Sequence, residues 1–330
     1  MTNSVRHEER EAALALELED LHKTYPREVT ALDGLDLTVP GGVVFGLVGP
    51  NGAGKTTAVR ILATLSFADT GTARVAGIDV SDNPAEVRRV AGYVAQKSGV
   101  DAQATGTENL MLQARVHGIG RADARAISAR LTKRFGLGEA ADRIVKTWSG
   151  GMRRRLDVAL AMVHSPRVLF LDEPTTGLDP EVRADLWDEI RRLRDDDGVT
   201  VLLTTHYLEE ADQLADRLAI IDQGRIVAEG TPGELKDGMR GDGIHIELTD
   251  PGTGSAAAAI LDRTVREILV DGRLIHARVD RGAEAVPRVV AALNDAGIEA
   301  VAVTVSRPSL DDVFLRYAGL AYSRREEVGQ

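Results

Sequence analysis

One nine-residue stretch, Gly49-Pro50-Asn51-Gly52-Ala53-Gly54-Lys55-Thr56-Thr57, constrains the architecture of this chain more than any other. It fits G-x-x-x-x-G-K-[ST], a glycine-rich loop whose backbone N–H groups can cradle phosphate oxygens. Its setting agrees with that reading. Val43 to Val48 has the continuous apolar character of a buried strand, and Lys55 to Leu65 has a helical pattern. Strand, glycine turn and helix together aim a helix N-terminus at an anion. Lys55 then reaches the β- and γ-phosphates, and the Thr56 hydroxyl is placed for Mg²⁺.

Composition narrows the partners. The 330 residues carry a net charge of −11 and a pI near 5.2, which argues against nucleic acid or anionic lipid as the main partner. Cysteine is absent, which excludes disulfides and thiolate metal sites. The first 13 residues form a polar leader without the apolar run of a signal peptide. No stretch approaches the roughly 20 apolar residues that cross a bilayer, so a membrane role must run through a partner.

Leu14–Leu18 and Leu35–Val39 alternate apolar and polar residues, as half-buried antiparallel strands do. Residues 97–163 are mostly helical by pattern and interrupt a series of apolar strands: Val168–Leu171, Val199–Thr204 and Leu218–Asp222. Strands alternating with helices predict an α/β fold with a largely parallel sheet, an antiparallel β subdomain and a helical insertion, over residues 14–238. Residues 239–330 have a different order, β-α-β-β-α-β, with Asp271-Gly272 as a hairpin signal. That order predicts a small α+β, ferredoxin-like domain. Ser309 to Asp312 has capping-box spacing before one last short helix.

The strand Val168–Leu171 runs straight into Asp172 and Glu173. A carboxylate at a strand end beside a P-loop can hold Mg²⁺, the role expected of Asp172. Glu173, leaving the strand, is placed to orient and deprotonate an attacking water. Ser149, Gly150 and Gly151 precede a helix and present free N–H groups at its positive end, a second phosphate site. One subunit cannot easily bring both sites to one nucleotide.

The P-loop, the Ser-Gly-Gly segment, Asp172-Glu173 and His206 together resemble the ATP-binding subunits of ABC transporters. The resemblance implies a P-loop NTPase fold and a homodimer in which Ser149, Gly150, Gly151 and the D-loop Asp179 act in trans. It implies adenine stacking on Tyr25, with a half-buried strand tyrosine as the bland alternative. It implies Gln96 as the Q-loop glutamine that touches Mg²⁺ and relays nucleotide state, and His206 as the switch histidine near the γ-phosphate. The remaining six histidines lack metal-ligand spacing and read as ordinary polar or packing residues. Arg153-Arg154-Arg155 reads as the basic face of an exposed helix, with Arg153 four residues from Asp157.

Trp148 and Met152 depart from the Leu and Gln commonest in the wider family, and point to its drug-exporter branch. So do Thr105-Gly106-Thr107-Glu108-Asn109-Leu110, the segment Thr205–Asp212 and the C-terminal Pro308–Leu315. Membership implies an ATPase with Mg²⁺ as cofactor, peripheral on the cytoplasmic face of the cell membrane. Its membrane contact runs only through a separate multi-span permease. Export of a hydrophobic drug or natural product, with self-resistance, is the expected function. Export of polysaccharide, lipid-linked or ion cargo is an alternative; a soluble ATPase acting on ribosomes or DNA is another. The last domain is expected to stabilise the dimer or dock the partner, with binding of a regulatory small molecule as the rival reading.

Overall fold

The computed structural model describes residues 14–318, apart from 27, 240 and 263. The polar leader expected at residues 1–13 lies outside them. Two compact units divide the chain, Met1–Glu229 and Gly230–Gln330.

In the first unit, β1 (Leu14–Tyr25) and β2 (Val29–Pro40) pair antiparallel with Leu18 opposite Leu37. Alternation puts Leu16, Leu18, Leu35 and Leu37 on one buried face, as the period of two requires. β4 (Thr70–Val75) and β5 (Ile78–Asp79) complete this sheet in the order β2-β1-β4-β5. The second sheet holds β3 (Val44–Val48), β6 (Ala91–Val94), β7 (Val168–Asp172), β8 (Thr200–Thr205), β9 (Arg217–Asp222) and β10 (Arg225–Gly230). Its order is β10-β9-β3-β8-β7-β6, with parallel pairing from β9 through β6. β3, β7 and β8 are buried at every position, as strands covered on both faces must be.

The helical insertion contains Gly106–Val116, Arg121–Arg134 and Gly150–Ala161. Gly118 and Gly136, both at positive φ, break it between helices. Thr105 and Glu108 form a reciprocal capping box at the first of these helices. The P-loop helix is shorter than its pattern suggests. It ends at Leu62, and Thr64 takes a left-handed backbone (φ 58°).

The second unit runs β11 (Asp242–Leu248), helix Gly254–Leu261, β12 (Arg266–Asp271), β13 (Leu274–Val279), helix Gly282–Asp295, β14 (Ala300–Ser306) and helix Leu310–Ala318. All three strand pairs are antiparallel, in the order β12-β13-β11-β14, the ferredoxin-like arrangement. Ile244, Ile246, Leu248 and Ile275 pack against Ala257, Leu261, Val289 and Leu293 of helices Gly254–Leu261 and Gly282–Asp295. Ser309 and Asp312 cap the last helix reciprocally at 2.8 and 3.2 Å.

Candidate functional site

Parallel register brings the candidate residues to one end of one sheet. Val48 stands opposite Thr205, and Asp172 opposite Thr204. The P-loop, Asp172-Glu173 and His206 therefore leave the carboxyl ends of three adjacent strands, where open α/β sheets bind ligands. β6, next to β7, delivers Gln96 to the same end.

The P-loop needs its glycines for space. A Cβ on Gly49 would stand 2.3 Å from the Ile221 carbonyl oxygen. One on Gly54, which has a φ of 111°, would stand 2.4 Å from that of Ala31. The turn closes with Ala53 N–H donating to the Pro50 carbonyl at 3.2 Å. Asn51, Gly52 and Thr56 are exposed, whereas Pro50, Ala53 and Thr57 are buried. Lys55 is buried, and its Nζ donates to the Gly49 and Pro50 carbonyls at 2.7 and 3.0 Å. Burial pulls its pKa below the ordinary lysine value, against the raising effect of Glu173 and Asp172.

Asp172 is buried and accepts two hydroxyls on Oδ1, Thr56 at 3.0 Å and Thr204 at 2.7 Å. Glu173 takes a left-handed backbone (φ 47°), with its N–H donating to the Thr204 hydroxyl at 3.0 Å. Such strain turns the chain out of the strand and aims the carboxylate. Glu173 Oε2 accepts from Gln96 Nε2 at 2.8 Å and from the Thr176 hydroxyl at 3.2 Å. Its Oε1 lies 3.3 Å from His206 Nδ1. Five sequence-predicted residues (Thr56, Gln96, Asp172, Glu173 and His206) thus fall into one contact cluster, joined by Thr204 and Thr176, which no motif had singled out. Asp172 and Thr56 offer hard oxygen donors, and Gln96 can add its amide oxygen, a set that fits Mg²⁺.

Ser149 caps its helix, its hydroxyl accepting from Met152 N–H at 3.2 Å. Ser149 and Gly150 are exposed. Gly151 is not: a Cβ there would sit 2.3 Å from Val182. Its lack of a side chain serves packing against helix Pro180–Asp195, whose N-cap is the exposed Asp179. Among the described residues, neither Ser149, Gly150, Asp179 nor Tyr25 makes a hydrogen bond to the Glu173 cluster. Tyr25 is half-buried at the end of β1, with Lys23 Nζ 5.7 Å from its ring centre. Trp148 fills space left by Gly106, where a Cβ would lie 2.5 Å from the indole.

The arginine run is a correction. Arg154 is buried, not part of an exposed face, and donates to the carbonyls of Pro174, Ala95, Asp172 and Glu173 at 2.7, 2.6, 3.2 and 3.2 Å. Its guanidinium fork ties the Q-loop strand to the strand that carries both carboxylates. Asp157 is not held mainly by Arg153, which reaches it only as a distant charge. It is buried, accepts from Ser98 Oγ and Gly99 N–H, and lies 4.0 Å from Arg154. Only contacts between distant elements reveal these roles. A weak cue exists in sequence: Arg154 and Leu156-Asp157 share a helix whose neighbours are apolar.

The profile of the ABC transporter family matches residues 32–176. That of the C-terminal domain of DrrA1-3-like ATP-binding proteins matches residues 230–318. Among curated proteins, the chain is 47% identical to the daunorubicin/doxorubicin resistance ATP-binding protein DrrA of Streptomyces peucetius, over 92% of each. It is 42% identical to the doxorubicin resistance ATP-binding protein of Mycobacterium tuberculosis, over 92% of this chain and 93% of that one. A Nod factor export ATP-binding protein of Paraburkholderia xenovorans is 38% identical over 92% and 97%. Among solved structures, an ATP-binding subunit of an ABC transporter superposes with a TM-score of 0.61 at 27% identity, over 68% of this chain and 92% of that one. The fold also matches cbiO1 of Clostridium perfringens, with a TM-score of 0.63 at 24% identity, over 68% and 90%.

Proposed function

The chain belongs to the ATP-binding subunits of ABC transporters, and on that premise we propose how its residues use ATP to drive drug export. The observation that carries the proposal is the cluster at the sheet end, where Glu173 is held by Gln96 and Thr176 beside His206. The Gly49–Thr57 loop wraps the phosphates. Their oxygens replace the Gly49 and Pro50 carbonyls as acceptors for Lys55. Tyr25 stacks on adenine. Mg²⁺, held by Thr56, Asp172 and Gln96, would supply charge neutralisation on the phosphate oxygens.

Glu173 accepts a proton from the water that attacks the γ-phosphorus. The bond from that phosphorus to the β–γ bridging oxygen breaks, leaving ADP and phosphate. His206 orients the γ-phosphate, so catalysis is chiefly positioning and charge stabilisation. Ser149 and Gly150 open one exposed helix end and Asp179 another, which supports a head-to-tail homodimer completing each site in trans. Domain limits of 14–238 and 239–330, with a helical subdomain over about 97–163, complete this reading.

Among the described residues no helix is long and apolar enough to cross a membrane. In this reading a separate multi-span permease carries the cargo, with this subunit on its cytoplasmic face. A groove of about 360 Å³, lined by Leu65, Val87, Gln113, His117 and His164 beside Gly99, supports docking next to the Q-loop. The drug-resistance relatives favour a hydrophobic drug as cargo; the Nod factor export relative favours a second reading with a different cargo. Affinity purification of Glu173→Gln with ATP from detergent-solubilised native cells tests the proposal. Stoichiometric recovery of one multi-span membrane protein is expected. Recovery of ribosomes or DNA without a membrane protein would overturn it.

A further inference from the structure

The Nδ1 of His206 is buried and makes no hydrogen bond, although it lies 3.3 Å from Glu173. The Glu173 carboxylate touches it from one side only, and no hydrogen bond at that nitrogen fixes the ring. An aromatic neighbour does. The Tyr207 ring lies 4.1 Å from the His206 ring, tilted by 40°. Arg183 in turn places its guanidinium 4.9 Å from the Tyr207 ring centre. Arg183 is half-buried and its Nε has no hydrogen-bond acceptor; its cation is shared between the tyrosine face and the charge of the buried Glu210 carboxylate.

We infer that Arg183 and Tyr207 are positioning residues that set the tilt of the His206 ring against Glu173 and tie it to the helix opened by Asp179. The inference rests on the catalytic reading proposed above. Arg183 lies one turn into helix Pro180–Asp195, with its N–H donating to the Asp179 carbonyl at 2.9 Å. Trp187, four residues on and so on the same helix face, donates to Glu210 Oε1 at 3.0 Å. Glu210 is buried in helix Leu208–Leu214, directly after Tyr207. The Tyr207 N–H donates to the Thr205 hydroxyl at 2.9 Å. Two side-chain bridges, Arg183 on the Tyr207 ring and Trp187 to Glu210, thus hold the His206 segment to the Asp179 helix. A shift of that helix moves the tyrosine face, and the imidazole with it. The bland alternative, a surface arginine with an incidental ring neighbour, leaves the half-buried guanidinium and the unbonded imidazole nitrogen unexplained.

Steady-state ATP hydrolysis by the full-length protein tests the relay, with kcat and KM measured separately. Tyr207→Leu and Arg183→Gln should each lower kcat about three- to tenfold, with KM for ATP within about twofold. Tyr207→Phe and Arg183→Lys keep a ring and a cation, and should recover most of the loss. The Leu/Gln double variant should be no worse than the poorer single, because both break one linkage. Parent-like kcat in both disruptive variants, with His206→Gln inactive, would overturn the relay and leave the site reading standing. Parent-like turnover in His206→Gln would instead overturn the site reading. A rise in KM, or no recovery in the conservative pair, would mark general loosening and also reject the relay.

Discussion

The two units assemble their polar side chains by different rules. In the first, strands ordered β3-β8-β7-β6 deliver Gly49–Thr57, His206, Asp172-Glu173 and Gln96 to one sheet end. Each arrives at the end of an apolar run, inside a short motif. In the second, antiparallel register sets His245 directly opposite His276. Their Nδ1 atoms lie 2.9 Å apart, and His245 Nε2 is 2.9 Å from the Ser306 hydroxyl. The rings meet edge to face, and among the described residues no group of three metal-capable side chains exists. Burial, then the neighbouring His245, pulls His276 below the ordinary histidine pKa. This pair is satisfied polar packing within a sheet. A site built on strand ends can be written in a contiguous motif, whereas a pairing built on register cannot.

Arg154 offers the hardest way to break that contrast, since it binds the motif segments together from outside any of them. Arg154→Met should cost about 2–4 kcal/mol in denaturant unfolding, because four carbonyls lose their donor. ATP turnover should fall about tenfold or more as Gln96 and Glu173 lose their shared brace. Unchanged stability and turnover would show that the motifs hold themselves in place.

A smaller effect concerns His117 and His164, whose rings stack 4.0 Å apart at 8° in the groove beside the Q-loop. Burial, then His117, pulls His164 down to about 4 from 6.5, while its ring nitrogen lies 3.1 Å from the Ala91 carbonyl. The folded state therefore favours the neutral ring. That contribution is full above pH 6.5 and is lost as pH falls towards about 4. Asp157 and Glu210, whose carboxyls burial pushes up, act with the opposite sign at the acid end. The difference between parent and His164→Gln isolates the histidine. Melting curves should converge on acidification by about 1 kcal/mol, allowing for solvent screening. Parallel pH profiles would contradict this.

The smallest effect sharpens the comparison from the other side. His276→Phe should shift stability by no more than about 1 kcal/mol, since His245 keeps its Ser306 contact. ATP turnover should stay within about twofold. A loss beyond about fivefold would mean that the C-terminal sheet takes part in the ATPase cycle.

Much of the first unit was legible because its motifs combine period and punctuation. The apolar run Val168–Leu171 predicts a buried strand, and the acids that follow must then emerge at its end. Ser149 reads as an N-cap and proves to be one. The βαββαβ order of the second unit was equally plain from alternation and from Asp271-Gly272, although the two-residue loop falls one position later, at Gly272-Arg273. What stayed hidden depends on pairing between distant elements. Arg154 looks like one of three exposed arginines until β6 and β7 are laid beside its helix. Nothing in the sequence shows that the side chain Gly151 lacks would also collide with Val182. Trp148 looks like a substitution in a motif until Gly106 supplies the space it fills. His117 and His164 meet only once the helical insertion folds back.

The central claim is that Glu173 takes the proton from the attacking water. Glu173→Gln keeps the size of the side chain and, with its amide oxygen in the Oε2 position, the acceptor for Gln96, but removes the base. Equilibrium ATP binding and single-turnover hydrolysis on this one variant test the claim most directly. ATP should bind as tightly as to the parent, with hydrolysis slower by at least about 100-fold. Hydrolysis at a rate near the parent's would contradict it.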